Sequence, residues 1–512
     1  MNLFSLNRRK TFAHGIHPES NKSTAGTPIR RMPFAPRILL PLAQHIGKPA
    51  VPIVSVGQEV VRGQPIARAD GFLSVPLHAS VDGVVEAIEL RPSARGPWTE
   101  TIVIRTYEAS TQEVRWSEAR DMDALSPQEI IQAIQDTGMV GLGGAAFPSH
   151  AKLSVPKEKL IHTLVVNGCE CEPYLTCDHR LMLERTDDLM RGIGYAMRAL
   201  GAQRAVIGIE DNKPDAIEAI RARVPAGGAI EVVAVETKYP QGAEKMLVKA
   251  ALGLNVPAGG LPADVGAVVN NVGTLALLGS LLPNGQGMTE RVVTVTGPGI
   301  RKPGDYWVPL GTPMRTVLDW AGAENVSERE IILGGPMMGQ AVASLDVPVT
   351  KGVSGILVFD RLKIEAEEAR RIYPCIKCGE CVRVCPMRLN PSMLGMLSGA
   401  REYDLMGTHY HLGDCFECGC CTYVCPSNIP LVQQFRIAKN ILRERSAAIS
   451  AAQAAQAAEQ AAAQAAAQAA AEAASDKAHL TGQRFDFGHA EGEGRKLGGS
   501  RHKITSDTSD PL

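Results

Sequence analysis

Eight of the chain's twelve cysteines fall in two runs of identical spacing. One is Cys375, Cys378, Cys381 and Cys385, closed by Pro386; the other is Cys415, Cys418, Cys421 and Cys425, closed by Pro426. Three thiolates so closely spaced can wrap one face of an iron–sulfur cubane, and the fourth ligand then comes from elsewhere. A zinc site typically needs only two CxxC pairs, which leaves the third cysteine and the Cys-Pro ending of each run unexplained. Disulfides suit short secreted chains, and the polar, basic opening MNLFSLNRRKTFAHG is not expected to be a secretory leader. The runs therefore predict two [4Fe–4S] clusters, one-electron chemistry and a reducing compartment, the cytoplasm.

A second constellation is rich in glycine and amides. Gly138-Met-Val-Gly141-Leu-Gly143-Gly144-Ala-Ala-Phe147-Pro148 can bring backbone N–H groups close to a phosphate, and Lys152 follows as a counter-charge. The preceding QEIIQAIQDTG reads as helix, whereas the dinucleotide fingerprint demands a strand, so an ordinary NAD fold is not expected. Two polar clusters end apolar strand-like runs: Asn167, Glu170 and Glu172 in LVVNGCECEP, and Asn270, Asn271 and Thr274 in AVVNNVGT. Ligands gather beyond the carboxyl ends of strands in open α/β sheets, and these amides could reach a flavin; equally, paired Asn residues could satisfy a turn. Cys169, Cys171 and Cys177 could form a metal site or redox pair, although small buried thiols are the favoured reading. Cys420 reads as a bystander, and His14, His17, His409 and His411 as surface or packing histidines.

The elements that must position these groups follow from composition and periodicity. At 512 residues and 45% hydrophobic, the chain should hold several domains with real cores. A net charge of −1 gives no footprint for nucleic acid. The apolar run Ala267 to Leu282 is interrupted by Asn270 and Asn271 and is too short to span a membrane, so no transmembrane helix is expected. Residues 1–30 read as an N-terminal arm, and residues 31–115 as short strands between Gly-containing turns. That pattern resembles a barrel-sandwich hybrid of the biotinyl/lipoyl type, but the matching turn Ser80-Val81-Asp82-Gly83 lacks the carrier lysine, which predicts a docking or structural module. Residues 120–285 alternate helical patterns with the runs TLVVNG, RAVIGIE, IEVVAVE and GAVVNNV, an α/β domain with a largely parallel sheet. Residues 286–360 are β-rich and fit a small β-grasp domain, residues 361–440 hold the clusters between short helices, and 441–512 form an Ala-rich helix and tail. The segment Ala447–Ala474 has high helix propensity but no large apolar stripe, and the polar chain from Ser475 onward reads as disordered.

Three resemblances sharpen this outline. The cysteine runs are similar to those of bacterial two-cluster ferredoxins, in which the fourth cysteine of each run serves the other cluster. That implies one set of Cys375, Cys378, Cys381 and Cys425, and a second of Cys415, Cys418, Cys421 and Cys385. The flavin-binding subunit of respiratory complex I has a GxGGxGFP loop with a following Lys, then N-x-x-E-x-E-P, Y-x-x-G-E-E and V-N-N-V-x-T. This chain resembles it at Gly141 to Pro148 with Lys152, at Asn167 to Pro173, at Tyr239-Pro-Gln-Gly242-Ala-Glu244, and at Val269 to Thr274. The whole domain order, with the opening HGIHPESNK, resembles the RnfC family of bacterial Rnf (Rsx) electron-transport complexes.

The resemblance implies bound FMN, NADH as substrate, two [4Fe–4S] clusters, and other membrane-complex subunits and ferredoxin or a similar carrier as partners. It implies a peripheral, ion-translocating assembly on the cytoplasmic face of the bacterial inner membrane, with no catalytic acid–base side chain at the hydride step. Carried across, Gly141, Gly143, Gly144 and Lys152 would cradle the flavin phosphate. Asn167, Glu170, Asn270, Asn271 and Thr274 would line the flavin. Phe147, Glu172 and Glu244, with Gly242 in the same loop, would face the nicotinamide nucleotide. The chain departs from complex I at Cys169, in place of Asp; at Leu142, in place of a basic residue; and at Leu153, where an aromatic follows the loop Lys. The alternatives are a soluble flavin/iron–sulfur reductase, such as a cobalamin reductase, against which the Ala-rich tail argues, and an electron-relay subunit without flavin, which the altered loop positions leave open.

Overall fold

A computed structural model describes residues 10–482, apart from Arg95, Pro97, Lys157, 325–328, Ala343 and 361–370. In the N-terminal module, strands β2 (Arg37–Pro41), β8 (Trp98–Thr106), β7 (Gly83–Pro92) and β4 (Glu59–Val60) form one antiparallel sheet. Strands β3 (Val51–Pro52), β5 (Pro65–Arg68) and β6 (Leu77–His78) form a second. The turn at Ser80–Gly83 is buried. Ser80 Oγ donates to Leu310 O at 2.6 Å, and Arg62 Nη2 to Glu290 Oε2 at 2.5 Å. The turn that would present a swinging arm is thus spent docking on the domain that carries Leu310.

The flavin-type domain opens with α1 (Pro127–Asp136), whose start is fixed by a capping box between Ser126 and Glu129. It continues through α2 (Ser149–Leu153), β9 (Thr163–Gly168), α3 (Cys177–Glu184), α4 (Thr186–Leu200), β10 (Arg204–Glu210), α5 (Pro214–Arg221), β11 (Ile230–Val235), α6 (Glu244–Leu252), β12 (Ala267–Asn271) and α7 (Val272–Leu281). The four strand-like runs read from sequence are the four strands, all parallel, in the order β11-β10-β9-β12. Helices α4 and α7 cross without intervening side chains: a Cβ on Gly192 would lie 1.8 Å from Leu275 O, and one on Gly279 1.8 Å from Asp188 O. One apolar cluster runs from Ile38 and Ile102 in the N-terminal module to Ile130, Leu164 and Ile193 here, so the two share a core. Lys351 lies fully buried at the same seam, donating to Pro76 O at 2.9 Å and Gly138 O at 2.6 Å.

The third domain pairs β14 (Gly304–Pro309), β13 (Glu290–Thr296), β17 (Gly355–Asp360), β15 (Arg329–Leu333) and β16 (Gln340–Ala341), with α8 (Met314–Ala321) between the hairpins. The central strands β13 and β17 are parallel and their outer neighbours antiparallel, which is the β-grasp arrangement. Strand β1 (Arg30–Arg31), at the boundary drawn between arm and barrel, extends this sheet by pairing with β14.

The cysteine module contains α9 (Glu380–Arg383), α10 (Pro391–Gly399), α11 (Tyr403–Thr408) and α12 (Cys420–Tyr423), packed against the start of α13 (Leu431–Gly482) through Leu431, Val432, Phe435 and Ala438. Leu442 and Arg443 mark the boundary between two compact units. The second unit is described as the Ala-rich continuation of α13, exposed along Ala447–Glu472. Disorder was expected from Ser475, but the helix runs on to Gly482, because nothing from Ser475 to Leu480 breaks the ladder of about 1.5 Å per residue before a glycine. Residues 483–512 lie outside the described residues. No described helix is long and apolar enough to cross a membrane.

Candidate flavin and iron–sulfur sites

Strand order locates the first site. The chain steps from β9 to β10 to β11 in one direction and returns to the other side of β9 with β12. The β9/β12 crevice is therefore a topological switch point, where ligands of such sheets bind. Asn167 and Asn271 are register partners at its carboxyl end. Asn271 caps α7, accepting from Thr274 N at 3.1 Å, and donates to Asp178 Oδ2 at 2.6 Å. Thr274 Oγ1 in turn accepts from Leu142 N at 2.9 Å, which draws the glycine loop over the crevice. Gly141 N closes the loop on Phe147 O at 2.8 Å, and Gly143, Gly144 and Ala145 stay exposed between them. A Cβ on Gly143 would lie 3.0 Å from Asn271 Nδ2, while one on Gly144 would meet nothing.

Lys152, on α2, forms an ion pair with Glu244, the first residue of α6, so the expected phosphate partner and nucleotide partner face each other. Asn167 donates to Gly242 O at 2.8 Å and accepts from Cys169 N at 3.0 Å. Gly242 packs so tightly that a Cβ would come within 2.5 Å of Cys169 O. Asn270 is buried, and its Nδ2 has no partner among the described residues. An orphaned buried amide on β12 and an exposed run of loop amides fit a polar, phosphate-bearing ligand of the flavin mononucleotide kind.

Two expected site residues have other partners here. Glu170 caps α3, accepting from Asp178 N at 2.9 Å and His179 N at 3.2 Å. Glu172, expected to face the nucleotide, accepts from Met337 N at 3.0 Å and Met338 N at 2.9 Å, bracketing the glycine-rich loop after β15. Burial pushes the Glu172 carboxyl up to about 7. Burial, then the Glu170 charge, does the same to Asp178. Leu142 and Leu153 are core residues, so neither supplies the basic or stacking group of complex I. Cys169, Cys171 and Cys177 go to separate partners (Gly208 O, Gly242 N and Glu170), and burial raises all three thiols, which suits inert packing.

The cysteine runs repeat one backbone design. Lys377, Gly379 and Arg388 take positive φ in the first; Glu417, Gly419 and Asn428 do so in the second. The N–H groups of Lys377 and Glu417 each donate to the first thiol of their run at 3.4 Å. Electrostatics sort the thiols into the two exchanged sets. Cys381 is raised by burial and then by Cys375, Cys378 and Cys425; Cys421 is raised by burial and then by Cys418, Cys415 and Cys385. The second set lines one small pocket, together with Leu394 and Phe435. Apolar walls with four convergent thiols fit a cubane. Cys420 is buried in one apolar cluster with Cys418, Cys171, Tyr239 and Met337.

That cluster is the junction between the two sites. Tyr239 is buried and donates its hydroxyl to Cys418 O at 2.6 Å. Gly419 abuts Met337, on the loop that Glu172 brackets. Sequence reading missed the roles of Tyr239, Lys22 and the Gly334–Gly339 loop; the paired glycines of GGPMMG and the motif HGIHPESNK were the available signals.

Comparison with known proteins agrees with this geometry. Residues 10–109 match the RnfC barrel sandwich hybrid domain, 134–279 the Nuo51 FMN-binding domain, and 374–429 a 4Fe–4S dicluster domain. The chain is 43% identical over 433 residues to the C-type subunit of the proton-translocating ferredoxin:NAD(+) oxidoreductase complex of Clostridium ljungdahlii, covering 84% of this chain and 94% of that one. It is 40% identical to the corresponding subunit of the Na(+)-translocating ferredoxin:NAD(+) oxidoreductase complex of Acetobacterium woodii, covering 77% and 88%. With its counterpart in the ion-translocating oxidoreductase complex of Pseudomonas aeruginosa it shares 41% identity over 84% of this chain and 55% of that one. A solved NAD+-reducing [NiFe]-hydrogenase shows a looser likeness, with 21% identity and a TM-score of 0.44 over 62% of this chain and 63% of that one. By sequence identity, coverage and matched domains, the chain belongs to the RnfC family of ion-translocating oxidoreductase complexes.

Proposed function

We propose that the chain oxidises NADH, or reduces NAD, at FMN and relays single electrons through two [4Fe–4S] clusters to or from ferredoxin or a similar carrier. It does so as a peripheral subunit on the cytoplasmic face of a bacterial membrane complex whose other subunits move the ion. The observation that carries this reading is the junction at Tyr239, where the flavin-type domain touches Cys418. Bound flavin supplies the conversion between a hydride and single electrons.

The chain's own residues bind and orient. Exposed amides at Gly143 and Gly144, with Lys152, suit the phosphate end, and Asn270, buried on β12, offers an unpartnered amide. Asn271 and Thr274 hold the loop in place. Glu244, which pairs with Lys152, and Phe147, which closes the loop on Gly141, would serve as the nucleotide partners. Of the inner thiols, Cys418 lies in the junction cluster and Cys385 follows Val384 there, whereas Cys378 of the outer set is exposed.

The test is anaerobic. The chain is reconstituted with FMN, iron and sulfide, NADH is added, and flavin bleaching is followed together with cluster EPR signals. Bleaching followed by reduced-cluster signals is expected. Retained flavin that NADH does not bleach would sink the dehydrogenase reading and leave a relay protein.

A further inference from the structure

Residues 10–24 lie outside the cysteine runs and the glycine loop in the chain, yet they bind both domains that meet at the junction. Along the flavin-type domain, Lys10 O accepts from Glu236 N at 3.0 Å, and Ile16 and Tyr239 exchange both backbone bonds at 2.9 Å. On the cysteine module, His14 Nδ1 donates to Arg383 O at 2.7 Å and Gly15 N to Val384 O at 3.0 Å, directly before Cys385. Ile16 is buried in the same cluster as Tyr239, Val384, Cys418 and Cys420. The segment therefore grips the wall of the flavin site with one residue and the flank of an inner thiol with its neighbour.

Its other end is pinned by an unusual arrangement. The Lys22 ammonium donates to Glu170 O at 2.6 Å, Glu172 O at 2.8 Å and Leu175 O at 2.6 Å. Three carbonyls of one loop turn inward on a single ammonium and use all three of its donors. Burial lowers the Lys22 pKa, so the site tolerates a desolvation cost that an apolar side chain would not carry. The loop so shaped carries Cys171, which packs at the junction, and Glu172, which brackets Met337 and Met338.

We propose that residues 10–24 are a strap that sets the separation of the flavin site from the inner cluster site, with Lys22 and the Gly15–Ile16 pair as positioning residues. The proposal rests on the electron path proposed above. A strap of this kind binds no cofactor. It acts through Tyr239 and Val384, and loosening it leaves each site intact while moving them apart.

The experiment uses the full chain loaded with FMN and clusters, comparing wild type with Gly15→Ala, Lys22→Met and His14→Ala. A Cβ at position 15 would lie 2.5 Å from Tyr239 O, at a φ of +78°, so Gly15→Ala pries the strap from the junction. Flavin content, iron content and the rate of flavin bleaching by NADH should stay at wild-type levels. Flavin fluorescence lifetime should lengthen, because a nearby cluster quenches it, and reduction of the inner cluster should slow by about tenfold or more. Unchanged lifetime and unchanged cluster reduction in Gly15→Ala would overturn the proposal. Should Lys22→Met lose its clusters, His14→Ala, which deletes one bond from a half-exposed ring, decides in its place by the same two readouts. A wild type that NADH does not bleach would sink the dehydrogenase reading, while the lifetime comparison would still decide the strap.

Discussion

The two four-cysteine sets share a sequence pattern and a backbone design but sit in different surroundings. In the inner set, Cys385, Cys418 and Cys421 are each less than a tenth exposed, walled by Leu394 and Phe435 and flanked by Tyr239 and Met337. In the outer set, Cys378 is exposed, and Ile372, Ile376 and Tyr423 stand 59%, 67% and 58% exposed around the run and its partner. The repeat supplies the ligands; packing decides which site faces the flavin-type domain and which faces outward. Cluster potentials respond to exposure and to hydrogen bonds at sulfur, so equal ligand sets need not have equal potentials. In the inner set, Cys418 packs with Cys420 and accepts the Tyr239 hydroxyl on its carbonyl.

The largest test of the comparison exchanges the fourth ligands. Cys425→Ser, although it lies in the second run, should abolish the outer cluster, and Cys385→Ser the inner one, each losing about half the iron. With NADH present, Cys425→Ser should still reduce its inner cluster, whereas Cys385→Ser should bleach its flavin and pass nothing on. Loss of the inner EPR signal in Cys425→Ser would break the assignment. Next in size is Gly335→Ala, whose Cβ would meet the Glu172 carboxylate at 2.2 Å. Urea unfolding should show a loss of about 1–3 kcal/mol, with the inner cluster the more labile of the two.

A smaller effect is the pH slope at Glu172. Its folded pKa is raised from 4.5 to about 7, so between those values the folded chain holds a proton that the unfolded chain has released. The stability that this proton contributes is fully present below 4.5 and is lost as pH rises through about 7. Glu172→Gln should flatten that slope in parallel denaturation series, and an unchanged slope would remove Glu172 from the inner wall. Smallest in stability is Ile376→Ser, expected within about 0.5 kcal/mol of wild type by thermal melting. It should nevertheless slow transfer to an external iron–sulfur carrier in stopped flow, if the outer face is the exit.

Much of this was legible in the chain. The alternation of apolar runs and helical periods gave the four parallel strands, because strand and helix periods differ and each must bury one face. The cysteine spacing specified its own backbone, since glycines at 379 and 419 permit the left-handed turns that wrap a cubane. The resemblance to complex I pointed to Asn271, Thr274 and the glycine loop, which the fold brings together. It gave no sign that Glu170 would cap a helix or that Glu172 would bracket the Met337 loop, because a carboxylate in an N-x-x-E-x-E motif looks the same whether or not it meets a backbone N–H. It also gave no warning that Lys22 would gather three carbonyls from a loop far along the chain.

Sequence alone determined which atoms can hold iron and where strands begin and end, since ligand spacing and side-chain periodicity are local properties. Tertiary structure alone decided which thiols lie inside, that the barrel turn docks on the β-grasp domain, and that an N-terminal segment ties Tyr239 to the flank of Cys385. Those outcomes depend on burial and on hydrogen bonds between residues hundreds of positions apart, and no spacing in the chain encodes them.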